Sequence, residues 1–452
     1  MTLLVLYAVL FCVPFVCASL PSLNDTYIHT LDSSNFSPSD TRTLWDILLS
    51  CGLTLFACTW TAIHPNIPGV NDGVVLIIFY RLCLMVVALF IPEVMIVWAI
   101  TQFHYAQRAA EDLNRGFGAR RVQSHSDDQA ICQSERAVTG MSLGDILNSS
   151  RSPRTEWTLT HGFFVLMGGF VLYVKGEPRA TLTPSELLEF VYKGYVEMPV
   201  ITEAEIEDRS KGDGLYKCIA ILQLVWFVVQ LIARTAQGLP VTLLEIDTLG
   251  VAALACIAYP FWWKKPKDIR RPYIVHWNSE ADPSLCGNLE NNYYYSHTRR
   301  SLVRPLPFRF DDPKYSPSLI SFVAGCFSGV VFGAVHCLGW NVFLPHTEQI
   351  LWRVASIGTT CSPLMTFFAF ALPAFTGLLL MTRDRHSCGC IMDSLISAFM
   401  TVFMRLGMLS YICSRVTMLV LVFMSLRSLP LGAYDTIAWI KHISLSFYLI
   451  PG

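Results

Sequence analysis

The stretch ITEAEIEDRSKGDGLYKCIAILQLVWFVVQLIARTAQGLPVTLLEIDTLGVAALACIAYPFWWKKP, Ile201 to Pro266, decides how the rest of the chain is read. It opens on an acidic amphipathic lead-in, Thr202 to Asp213. An apolar run follows, Leu215 to Ala236, then a Gly-Leu-Pro turn at Gly238 to Pro240. A second apolar run, Val241 to Trp263, leads into a basic exit at Lys264, Lys265 and Lys267. Each run is near the roughly 20 apolar residues that cross a bilayer, so the stretch predicts a transmembrane helical hairpin.

Polar residues inside these runs are the first candidates for function. Gln223, Trp226, Phe227, Gln230 and Arg234 recur at helical spacing and share one face. Amides, an indole and a guanidinium on one face are expected to turn from lipid towards the bundle or a cavity. The second run carries Glu245 and Asp247. The short link predicts antiparallel neighbours, with Arg234 at the depth of the two carboxylates and able to pair with them. Thr242-Leu243-Leu244-Glu245 also fits a capping box, so Glu245 reads either as a helix cap or as a reactive acid. Asp247 points elsewhere, because positions i and i+2 diverge by about 200° on a helix.

Composition extends the membrane reading to the whole chain. Of 452 residues, 53% are hydrophobic and 15% charged, where a soluble domain carries about 25% charged residues; mean hydropathy is +0.45. The fold class expected is all-α, a polytopic transmembrane helix bundle. The net charge of -1 gives no reason to expect a nucleic-acid partner. Most of the fifteen cysteines lie inside apolar runs, where they behave as small hydrophobes rather than as a disulfide framework.

Taken in order, residues 1–18 read as a signal peptide ending in Val16-Cys17-Ala18, without a basic n-region. Residues 19–43 form a lumenal tail with glycosylation sequons at Asn24 and Asn35. Residues 44–100 hold the first two spans, Leu44 to Ile63 and Val74 to Ile100; the second contains Arg81 and Glu93 and is kinked by Pro92. Residues 101–157 read as a polar loop, helical at its start and flexible in its middle. Residues 158–263 supply spans three to five, beginning with Thr158 to Val174, and residues 264–317 a basic cytosolic loop. Residues 318–426 hold spans six to eight, for about eight spans in all. Residues 427–452 read as an interfacial tail anchored by Trp439 and Lys441.

In the sixth span Gly325, Gly329 and Gly333 recur every four residues, a stripe that lets another helix approach closely. His336 lies one turn beyond it. The eighth span carries Asp393, Arg405, Tyr411 and Arg415. The positive-inside rule puts the loops at 64–73, 177–214, 264–317 and 382–390 in the cytosol.

The chain lacks a phosphate-binding glycine-lysine loop, a dinucleotide fingerprint, HExxH and paired CxxC motifs. Asp127-Asp128 and Asp311-Asp312 are not spaced to hold magnesium against a diphosphate. No metal and no cofactor is therefore expected. What remains suits proton chemistry on a lipophilic substrate: Glu245, Asp247 or Glu93 as a buried acid, Arg234 to tune it, and His336 as a deep base. Trp226, Phe227, Tyr259, Trp262 and Trp263 offer aromatic faces to a carbocation, although Trp262 and Trp263 at a helix end also fit the interfacial belt.

The stretches TEAEIEDRSKGD (Thr202 to Asp213), LQLVWFVVQLIAR (Leu222 to Arg234), TLLEIDTLG (Thr242 to Gly250), YPFWWKKPKD (Tyr259 to Asp268) and SLRSLPLGAYDTIAW (Ser425 to Trp439) resemble a large fungal family of multi-pass membrane proteins, mostly without assigned activity. The likeness runs from about Asn35 to the C-terminus, and the group further resembles the membrane-bound terpene cyclases of the ascofuranone-pathway type. That resemblance implies an endomembrane enzyme of secondary metabolism, in the endoplasmic reticulum, that cyclises an isoprenoid or meroterpenoid. Its partners would be membrane lipid and a hydrophobic small-molecule substrate. It carries no catalytic motif onto this sequence. The competing readings are a transporter or sensor without catalysis, and a membrane acyltransferase using His336.

Overall fold

Polar residues start the helices that apolar runs sustain, and among the described residues Thr43 is the first to do so. The computed structural model describes residues 41–69, 72–135, 156–210, 213–278, 319–342, 344–381 and 389–437, with side chains for all but 118–135, 213–216, 372–381 and 389–397. The signal peptide, the sequons at Asn24 and Asn35, most of the loop 264–317, Asp393, Trp439 and Lys441 fall outside the described residues or side chains. Thr43 and Asp46 form a reciprocal capping box that opens α1 (Leu44–Ala62).

The expected second span is two helices rather than one kinked one. α2 (Val74–Phe90) and α3 (Glu93–Glu135) meet at 115° across Ile91 and Pro92. Proline has no N–H to continue the ladder of α2, and its ring bars the preceding residue from helical geometry. Past the break, α3 runs through the start of the polar segment, helical as expected, and on to Glu135, where a flexible loop was expected from Gly116. The helical burial of Thr101, Gln102, Tyr105, Ala106 and Ala109 holds its first part in the bundle.

Thr158 to Val174 is not a span. α4 (Leu159–Leu166) has eight residues, and Gly168 at φ 84 turns the chain into β1 (Phe170–Val174). β1 pairs antiparallel with β2 (Glu177–Thr181) and parallel with β3 (Tyr273–His276), in the order β2-β1-β3. The run FVLYV is aromatic and β-branched, which suits a strand; periodicity alone does not separate a short buried strand from a helix. The expected all-α class is amended by this sheet. α5 (Pro184–Tyr192) and α6 (Glu203–Arg209) lie beside it, each opened by a Thr-x-x-Glu capping box.

α7 (Asp213–Ala236) and α8 (Leu243–Ala258) are the arms of the expected hairpin, but they are not close neighbours. α1 packs against both and largely separates them. The amide face of α7 points to α1: Gln223 Nε2 donates to Thr54 Oγ1 at 3.2 Å, and Ser50 Oγ donates to Gln230 Oε1 at 3.5 Å. Trp226 leaves that face and is 43% exposed.

α8 has 16 residues, about 24 Å of helix, less than the roughly 30 Å hydrocarbon core. All of it is buried except Leu244, Leu249 and Ile257. It packs on α1, α3, and two later helices, α9 (Leu319–His336) and α11 (Gly389–Ser425). α8 is thus the axis of the bundle rather than a lipid-facing span. α10 (His346–Met381) completes the set, packed between α9 and α11. A Cβ at Gly333 would lie 2.6 Å from the backbone nitrogen of Thr360, so glycine there is what lets α10 approach α9.

Among the described residues, five helices are long and apolar enough to cross a membrane, or six if the bent pair α2–α3 counts as one span. Outward apolar side chains such as Phe79, Leu222, Phe368 and Phe423 give these helices a hydrocarbon-facing surface.

Candidate functional site

The ionisable residues singled out in the sequence fall into two separate groups. Asp247 and His336 meet inside the bundle beside Arg415, and Glu93 is linked to them through Tyr411, one turn before Arg415 on the same helix. Arg234 and Glu245 lie apart from them, in a clamp at one end.

In the inner group, α8 brings Asp247 against the last residue of α9. His336 is fully buried, and its Nε2 lies 3.2 Å from Asp247 Oδ1. Its other nitrogen, Nδ1, lies 2.8 Å from the carbonyl oxygen of Phe332. A carbonyl oxygen only accepts, so Nδ1 carries a proton. In a neutral imidazole Nε2 is then an acceptor, and an acceptor facing a carboxylate requires a proton between them. Either Asp247 is the protonated acid donating to Nε2, or His336 is an imidazolium donating to the carboxylate. One exchangeable proton resides in this contact in both cases.

α11 supplies the positive charge. Arg415 Nη1 is 3.9 Å from Asp247 Oδ1, and its guanidinium stacks 3.8 Å from the ring centroid of Phe332. Nη2 donates to the carbonyl of Phe90, the last residue of α2, at 3.1 Å. One turn earlier on α11, Tyr411 donates its hydroxyl to Glu93 Oε1 at 2.5 Å. Glu93 opens α3, so an anion sits at a helix N-terminus and a cation at the neighbouring helix C-terminus, as the helix dipoles favour. With Glu93 as carboxylate, the four groups sum to no net charge, which a low-dielectric interior requires. Two atoms of the group remain without hydrogen bonds: Glu93 Oε2 and Arg415 Nη1. Trp352 closes the far side, donating Nε1 to the His336 carbonyl.

The outer group is a clamp. Glu245 closes the capping box with Thr242 and also accepts from Arg42 Nη1 at 2.7 Å. Arg42 Nε donates to Ala433 O. Arg234 does not pair with Glu245 or Asp247. Its guanidinium donates to the carbonyls of Pro240, Asp435 and Ala433 at 2.9, 2.7 and 3.2 Å. The expected pairing fails because the hairpin turn and the segment after α11, with its short 3-10 turn at Leu431–Tyr434, offer free carbonyls nearer to the guanidinium. Arg234 and Glu245 therefore hold the end of the fold together and carry no unsatisfied group.

The aromatic expectations divide too. Trp263 is 47% exposed, as a belt residue would be. Trp262 is fully buried: its Nε1 donates to Gln102 Oε1 at 3.0 Å, and Trp98 meets it edge-on at 5.0 Å. Lys265, expected in a basic surface exit, is buried beside it, donating to His64 O, Asn66 Oδ1 and Gln102 Oε1. Three acceptors match the three N–H groups of an ammonium. Among the described residues no three His, Cys, Asp or Glu side chains are placed to share a metal ion.

Tyr411 and Arg415 were not singled out as site residues from the sequence. The signal was their i, i+4 spacing on an apolar helix, which puts two polar groups on one face.

Fold and site together define a helical bundle of membrane-spanning dimensions with a buried cluster of ionisable side chains. Residues 15–289, more than half of the chain, match DUF8562, a family of unknown function, and the chain belongs to that family. The matched region contains Glu93, Arg234, Glu245 and Asp247, while His336, Tyr411 and Arg415 follow it. No curated protein matches the chain, and no solved structure does.

Proposed function

We propose that this chain is an integral endomembrane enzyme that transfers a proton to a lipophilic small molecule from the Asp247–His336 pair. The reaction class is acid-initiated cyclisation or isomerisation of an isoprenoid or meroterpenoid. The observation that carries the reading is the commitment of His336 Nδ1 to the Phe332 carbonyl, which forces an exchangeable proton into the contact with Asp247. A buried neutral acid of this kind suits protonation of an epoxide or alkene. The proton passes to the substrate oxygen or carbon, the C–O or π bond breaks, an internal alkene closes on the cation, and a proton lost from the product cation returns to the vacated base. The step is redox-neutral. Glu93 with Tyr411 is a second oxygen pair for that return. The resemblance to membrane-bound terpene cyclases supports the same class. Glu245 and Arg234, both expected as part of the acid machinery, have no part in this reading.

The 115° break between α2 and α3 favours a second reading, proton-coupled transport, because transporter sites are built at discontinuous helices. Expression in a host lacking the protein, with metabolite profiling and an epoxidised prenyl substrate, separates the two. A new cyclised product that disappears in Asp247→Asn supports the enzyme. Substrate flux without product discards it in favour of the transporter.

A further inference from the structure

A second site lies outside the acid–base centre and does not depend on it. It is a cleft of about 1320 Å³ where α1 ends, α2 begins and the chain leaves Lys267 for β3. Its volume exceeds the roughly 300–1,000 Å³ of ordinary ligand pockets.

The charges in this cleft are unbalanced. Arg81, Arg209, Lys267, Arg270 and Arg271 line it, against two carboxylates, Asp72 and Asp268. Both carboxylates are engaged: Asp72 accepts from the Gly69 N–H at 2.8 Å, and Asp268 accepts from Arg81 Nη1 at 2.8 Å. Asp268 holds that position at φ 57, a left-handed backbone that non-glycine residues rarely adopt. The Arg81 guanidinium sits over Trp60, 4.1 Å from the ring centroid, its Nη2 donates to the Trp60 carbonyl at 3.3 Å, and its buried Nε has no acceptor. Arg209 sits over Tyr273 at 5.9 Å. Arg270 and Arg271 stand exposed at the cleft.

A planar guanidinium stacked on an indole, with further arginines opposite, is the arrangement that recognises phosphate by forked hydrogen bonds. The wall made by α2 continues directly into Val74, Val75, Ile78 and Phe79, all exposed apolar side chains at the start of a helix with a lipid-facing surface. A ligand seated here has its anionic end among arginines and its apolar end along α2.

We infer that this cleft binds the phosphate headgroup of an anionic membrane amphiphile, with the acyl chains lying against the first turns of α2. Arg81, held by Trp60 and Asp268, fixes a positive charge in the cleft wall. Arg270 and Arg271 close on the phosphate from the rim.

The test uses the full-length chain in detergent at about 150 mM salt, where exposed charges are screened beyond about 8 Å. Native mass spectrometry follows binding of dioleoyl phosphatidic acid and, separately, dioleoyl phosphatidylcholine. We expect phosphatidic acid to bind at least tenfold tighter, and the double variant Arg270→Gln/Arg271→Gln to lose at least tenfold of that affinity while eluting as the unaltered protein does on size exclusion. Arg81→Gln should lose affinity as well. Inorganic pyrophosphate at equal concentration should leave the lipid bound. Equal binding of the two lipids overturns the proposal, as does full affinity in the double variant. Displacement of phosphatidic acid by pyrophosphate overturns the lipid assignment and makes the cleft a site for a soluble phosphate.

Discussion

Asp247 on α8 and His336 on α9, 89 positions apart, meet at 3.2 Å across a contact that holds one proton. The Phe332 carbonyl fixes which histidine nitrogen faces the carboxyl, because the other neutral tautomer would set an unprotonated Nδ1 against a carbonyl oxygen at 2.8 Å.

Asp247→Asn keeps the contact, since a carboxamide N–H can donate to Nε2, but removes the transferable proton. Product formation should fall at least about a hundredfold, the usual scale for a lost general acid, with the melting temperature in detergent shifted by only a few degrees. Turnover near that of the unaltered protein would remove Asp247 from the mechanism.

Tyr411→Phe and Glu93→Gln each disturb the second pair. Because the two side chains share one hydrogen bond, their effects should not add. The double variant should be no slower than the slower single variant, measured as product per molecule of folded protein. Additive losses would mean that the two groups act independently.

Glu245→Gln should lower stability and spare chemistry. It removes a charge from a pair with Arg42 in which the two side chains are 16% and 6% exposed, and breaking a buried pair costs about 3–5 kcal/mol; the partial exposure of Arg42 puts the expectation at the low end. The melting temperature should drop while product per folded molecule is retained. A selective loss of turnover at unchanged stability would return Glu245 to the list of acids.

Glu203 gives a pH signature outside the spans. Burial alone would raise its carboxyl, but hydrogen bonds from Thr160 and Lys264, with the charge of Lys264, hold it below its ordinary value of 4.5. A depressed carboxyl stabilises the fold fully above the ordinary value and loses that contribution as pH falls through the lower, folded one. Thermal melts should therefore separate the unaltered protein from Glu203→Gln at pH 7 and bring them together once the pH falls below the depressed, folded-state value. A gap that does not change with pH would rule out the carboxylate as its source.

The features visible in the sequence were those set by local spacing. Phe227, Gln230 and Arg234 turned inward as their spacing required, and the Thr242–Glu245 capping box formed. The features that were not visible depend on distant chain. Nothing near Glu245 announces that Arg42 will reach it, or that carbonyls around residue 433 will take Arg234. Trp262 and Trp263 are adjacent and identical, and only packing against Trp98 and Gln102 sends one inward. Val74 to Ile100 was read as one kinked helix where the chain bends by 115°, and Thr158 to Val174 as a span, because hydropathy counts apolar residues. A proline break and a β-branched strand alter geometry without altering that count.

The clamp at the end of the bundle has a consequence for synthesis. Arg42 grips Ala433 across 391 positions, and Thr41 bridges to Asp435 beside it. A ribosome delivers these partners 391 residues apart, at about 5–20 residues per second. Arg42 meets Glu245 and Arg234 meets the Pro240 carbonyl earlier, but the donors that reach residues 433 and 435 must wait, tens of seconds for Arg42, until that segment emerges. A nascent chain halted before residue 430 would hold its helices but leave this knot untied, and quality-control machinery would find its handle there.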